Sequence, residues 1–138
     1  MADKTYRVTT QMTDSWKVTA QVGKHHLVID QGDAGANPLD TFLFSLAGCI
    51  STIAKMVARE QGFALNGIEV EVEALLNPAG LAGKATEDPV GFKQFNIKAN
   101  IDAQLSHEQK AAFLELVCKR CPVHDNIMNA SLVEHSLG

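Results

Sequence analysis

At 138 residues the chain has the length of one ordinary domain, expected to run over 1–138 and long enough to bury a hydrophobic core. Its composition, 46% hydrophobic and 20% charged with 4 Pro and 10 Gly, excludes disordered, collagen-like and low-complexity classes. Twelve Lys and Arg against sixteen Asp and Glu give a formal net charge of −4 without any block of like charge, so neither a nucleic acid nor an anionic membrane is an expected partner.

The opening residues, MADKTYRVTT, place no apolar run behind a basic start, so no secretory signal is expected and the location expected is cytoplasmic. Over residues 5–30 apolar positions alternate: Tyr6, Val8 and Met12, then Trp16, Val18, Ala20 and Val22, then His26 and Val28 or Leu27 and Ile29. With reversals at Thr13, Asp14 and Ser15 and at Gly23 and Lys24, this predicts a three-stranded antiparallel meander. Residues 31–36 read as a loop. Asn37 then offers an N-cap oxygen, Pro38 suits the first helical position, and Asp40 falls on the third, near the positive end of the helix dipole. Leu39, Phe42, Leu43, Leu46, Cys49, Ile50, Ile53, Ala54, Val57 and Ala58 follow at spacings of three and four, and Gly62 supplies a stop. The spacing predicts a long, mostly buried helix with Cys49 near its middle. The charge-free run within it, residues 41–54, is too short and too polar, with Ser45, Ser51 and Thr52, for a span of about 20 residues.

Ile68, Val70 and Val72 alternate with Glu69, Glu71 and Glu73, and Phe95, Ile97, Ala99 and Ile101 with Asn96, Lys98, Asn100 and Asp102. Both are expected as half-exposed strands, paired by the acidic face of one against Lys93 and Lys98 of the other. The connection between them, residues 77–91, has two Pro and three Gly and reads as mobile. Ser106 and Gln109 form a capping box before a second helix striped by Phe113, Leu114, Leu116 and Val117. That helix must end before Pro122, because the residue preceding a proline is pushed out of helical geometry. Pro122 opens a short third helix to about Asn129, and residues 131–138 are at most a brief strand.

Three cysteines without a signal argue for a reducing compartment, where thiols serve as packing, reactive groups or metal ligands. Cys49, on the apolar stripe of a central helix, reads as packing unless a cation stands near it, and Arg7, Arg59 and Arg120 are the only arginines. Local physics favours Cys121 for chemistry: it caps the helix opened by Pro122, where unpaired N–H groups stabilise a thiolate, between Arg120 and the nearby His124. Cys118 and Cys121 also form a C-x-x-C, but behind a helix rather than after a strand, and Cys118 reads as core. Cys118, Cys121 and His124 supply three zinc ligands at best, with no second pair at metal spacing elsewhere, so no metal is expected. His25, His26 and Asp125 read as surface or structural.

The run from Asn37 to Cys49, NPLDTFLFSLAGC, on a long helix, followed much later by RCPVHDN from Arg120 to Asn126, resembles the OsmC/Ohr family of hydroperoxide-reducing and related thiol proteins. The resemblance extends over nearly the whole chain in element order. It implies an α+β fold of antiparallel sheets, a cysteine-bearing central helix and a second capped helix, assembled as an intertwined homodimer. It implies that Cys49 attacks a peroxide and that Cys121 resolves the product as a disulfide, with an external dithiol as reductant and no cofactor. The sequence departs from the peroxidase subgroups where their proline is followed by a Glu that holds an active-site arginine: Leu39 stands there and the acid comes one residue later, at Asp40. Arg7 and Arg120 are the candidate supporting arginines. Two functions stay open, reduction of a small apolar peroxide or related electrophile, and binding of a small apolar ligand by a dimer whose cysteines are structural.

Overall fold

A computed structural model describes all residues, 1–138. In chain order the elements are β1 (Thr10–Met12), β2 (Val18–Val22), β3 (His25–Ile29), α1 (Pro38–Gln61), β4 (Gly67–Leu75), β5 (Gln94–Asp102), α2 (His107–Arg120) and α3 (Pro122–Met128), an α+β set with two antiparallel sheets. They fall into two compact units, residues 1–42 and 43–138; α1 begins in the first and continues through the second.

In the first unit β2 pairs with both neighbours, Thr10 opposite Ala20 and Val18 opposite Ile29. The turn between β2 and β3 has the expected two residues: Gly23 takes φ of 60° while Lys24 does not, the arrangement of a II′ turn. The first strand is shorter than the alternation suggests. Tyr6 and Val8 lie ahead of β1 and are exposed, because the ladder starts only at Thr10. The loop at 31–36 closes on Asp30, whose carboxylate accepts the N–H groups of Gly32 (2.9 Å) and Ala34 (3.2 Å). Gly35 passes so close to Val28 that a Cβ would stand 2.8 Å from its carbonyl oxygen, so this approach requires glycine.

The expected cap is present at the start of α1, where Asn37 Oδ1 accepts the Asp40 N–H at 2.8 Å. At its end Gly62, with φ of 75°, and Phe63 donate back to Arg59 and Ala58, closing a Schellman motif. By length and mean hydropathy α1 could cross a bilayer, yet one row of it, Leu46, Ile50, Ala54, Val57 and Ala58, is the core of the second unit. The expectation of a mostly buried helix is corrected here: Phe44 is 77% exposed and Met56 48%, since β4, β5 and α2 cover one face only.

Around that row gather Leu65, Ile101, Phe113, Val117 and Cys121, with Phe63 edge-on to Phe113 at 5.1 Å. β4 and β5 pair antiparallel, Ile68 opposite Ile101 and Val72 opposite Ile97, with inward apolar and outward polar residues as the alternation requires. Glu71 faces Lys98, as expected. Lys93 does not join this charge pairing; it precedes β5, and its ammonium takes Asp88 at 3.2 Å. The connection read as mobile is instead tied together. Asn77 Nδ2 donates to Asp88 (2.8 Å), its Oδ1 accepts the Ala79 N–H, and Lys84 N donates to Ala79 O. Asn77 and Lys93 hold the Asp88 carboxyl below its ordinary range. Residues 131–138 form no strand; they are exposed coil.

Candidate functional site

The capping box is formed in full at the start of α2: Gln109 N–H donates to Ser106 Oγ (3.1 Å) and Ser106 N–H to Gln109 Oε1 (2.9 Å). This sets the rotation of α2, so that Phe113 and Val117, four residues apart, point into the core. Cys121 continues the row by another four. It leaves helical geometry at φ −82° and ψ 114°, as the following proline demands, yet its side chain is fully buried. One residue therefore closes α2 and caps α3, its sulfur accepting the His124 N–H at 3.5 Å.

From the other side, α1 brings Cys49 to the same cluster. Cys49 is half-buried and packs against the cluster that contains Cys121, near enough to perturb its thiol. Burial pushes the Cys121 thiol up to about 11, and Cys49 pushes in the same direction. The backbone N–H groups of His124 and Val123 pull it down, but by less. The expectation that the helix cap would favour a thiolate at Cys121 is thus corrected: the cap is present, and desolvation outweighs it.

Cys118 sits on the neighbouring row with Leu114 and is half-buried, its thiol raised by burial. So the buried cysteine of the C-x-x-C is Cys121, and Cys118 is partly open. The signal was in the sequence, in the four-residue spacing of Phe113, Val117 and Cys121.

Asp40 is in the first turn of α1, exposed, its N–H on the Asn37 cap. Arg7 is exposed in the segment ahead of β1, in the other compact unit. Arg120, a candidate to support a thiolate at Cys49, is engaged elsewhere. Its guanidinium donates through Nη1 and Nη2 to the two carboxylate oxygens of Glu60, at 2.6 and 3.0 Å. That fork holds Glu60 below the ordinary carboxylate range and raises Arg120. The sequence reading gave Glu60 no role. Its eleven-residue separation from Cys49, about three helical turns, puts both on one face of α1, and that spacing was the available signal. His25 and His26 are exposed on β3, and Asp125 accepts from Asn129, a local structural bond. No three His, Cys, Asp or Glu side chains gather at a point that could hold a metal.

The family model described as OsmC-like protein matches residues 30–136. The hydroperoxide reductase of Mycoplasma genitalium is 27% identical over 135 residues, covering 94% of this chain and 91% of the relative. Among solved structures, an OsmC-like protein from Mycoplasma pneumoniae superposes with a TM-score of 0.81 at 22% identity, covering 94% of this chain and 91% of that one. An organic hydroperoxide resistance protein from Legionella pneumophila gives 0.68 at 20% identity, covering 91% of each chain. These two share its fold.

Proposed function

The chain belongs to the OsmC-like protein family, and on that premise we propose that it reduces organic hydroperoxides through a disulfide cycle of Cys49 and Cys121. A hydroperoxide-related role is supported by the name of the Mycoplasma relative; the cycle is supported by one observation, the buried Cys121 thiol lying against Cys49. Cys49, as thiolate, attacks the terminal peroxide oxygen; the O–O bond breaks, the alcohol leaves with a proton, and Cys49 becomes a sulfenic acid. Cys121, protonated at neutral pH, bonds to that sulfur while its proton joins the departing hydroxyl as water. An external dithiol then reduces the disulfide, so the cycle uses thiols alone. Ile53 and Met56, four and seven residues beyond Cys49 on its own face of α1, suit an apolar substituent on the peroxide.

The proposal includes a homodimer in the cytoplasm, which would cover the apolar side chains that α1 leaves exposed. The test of the cycle is a count of free thiols before and after one equivalent of cumene hydroperoxide. Two should be lost per chain in the wild type and no peroxide consumed by Cys49→Ser, while Cys121→Ser should turn over once and stall with Cys49 oxidised. Unchanged thiols in the wild type would reject the cycle and favour a binding protein for a small apolar ligand.

A further inference from the structure

Two cysteines on different helices form a disulfide only if the helices hold them in register, with Cα atoms within about 7 Å and Cβ vectors suitably aimed. Packing around Cys121 supplies part of that register. Another contact reaches directly from its chain neighbour: Arg120 extends to Glu60 on α1, where the two-point fork fixes both distance and orientation. Glu60 is on the face of α1 that carries Cys49, about three turns further on. The junction at Cys121 is therefore attached to the Cys49 helix twice, by the buried thiol and by the adjacent guanidinium. The chain between α2 and α3 is otherwise held by its own short bonds, Cys121 N–H to Cys118 O at 3.3 Å and Asp125 N–H to Cys121 O at 2.9 Å, neither of which reaches α1.

We propose that Glu60 and Arg120 are positioning residues: their ion pair ties the α2–α3 junction to α1 and so holds Cys121 in register with Cys49 for disulfide closure. This deepens the reading above and rests on its pairing of Cys49 with Cys121. An exposed pair of this kind contributes little to overall stability, but a two-point contact one residue from the reacting sulfur acts on the geometry of closure.

The test separates pairing from peroxide chemistry by using a different oxidant. The 138-residue chain is equilibrated with mixtures of oxidised and reduced dithiothreitol, in which the cyclic disulfide is reduced to its dithiol as Cys49 and Cys121 lose two hydrogens and join. Alkylation and tryptic mapping then give the fraction linked, because cleavage after Lys119 and Arg120 separates all three cysteines. Glu60→Gln and Arg120→Gln should each lower the equilibrium constant for the Cys49–Cys121 link by about two- to fivefold. The exchanged pair, Glu60→Arg with Arg120→Glu, should recover most of the loss, and the wild-type advantage should shrink in 1 M salt, where the screening length is about 3 Å. Glu60, with its side chain 54% exposed, carries the test should Arg120→Gln fail to fold. Single variants equal to wild type, or an exchanged pair no better than the singles, would overturn the proposal. A wild type that forms no such link would overturn both this and the disulfide cycle, whereas one that forms it yet leaves cumene hydroperoxide untouched would reject the peroxidase reading and leave the positioning role standing.

Discussion

At Cys121 two influences oppose one another, the N–H groups of a helix start favouring a thiolate and the apolar surroundings favouring the thiol, and the surroundings win. The folded thiol is raised from 9.0 to about 11, so the stability it contributes is fully present below pH 9 and is lost as pH rises through 11. The urea midpoint should fall between pH 9 and 11, and should fall less in Cys121→Ala; parallel pH profiles for the two proteins would reject the assignment. Glu60 runs the other way. Its lowered carboxyl contributes stability above 4.5 that is lost as pH falls through the folded value, so the pair with Arg120 is intact at neutral pH.

Among the elements, the caps were legible and the buried rows only partly so. Asn37 before Pro38, and Ser106 three residues before Gln109, are local: each side chain bonds a backbone group within three residues, so no distant partner is needed to find it. Ser106→Ala should cost about 1 kcal/mol. Ile50→Ala, which empties part of a fully buried row, should cost about 2–5 kcal/mol. Urea unfolding of the two variants checks the order, and a cap loss equal to the core loss would contradict the placement of Ile50. The 77–91 connection shows the limit of composition: its Pro and Gly content suggested mobility, but Asn77 bonds Asp88 across eleven positions of sequence and Lys93 reaches the same carboxylate across five, contacts that composition does not display.

At the scale of the whole molecule, α1 leaves apolar residues exposed on more than one face. Phe44, 77% exposed in the single chain, is the most exposed large apolar residue of α1, so its burial in a dimer would remove substantial apolar area from water. Sedimentation should give a dimer at micromolar concentration, and Phe44→Asp should shift the protein toward a folded monomer. A wild-type monomer would remove the dimer and any site shared between copies.

The sequence by itself determined what depends on neighbours along the chain: two alternating strand sets, the ends of α1, the capping box and the break at Cys121 before proline. These follow from periodicity and from backbone groups that must be satisfied within a turn or two. It also carried the two motifs that pointed to the family. Only the tertiary structure decided which cysteine is buried, which thiol lies against Cys49, and where Arg120 goes. Desolvation is set by everything packed around a group, and an ion pair sixty residues apart in sequence exists only once α1 and α2 are side by side.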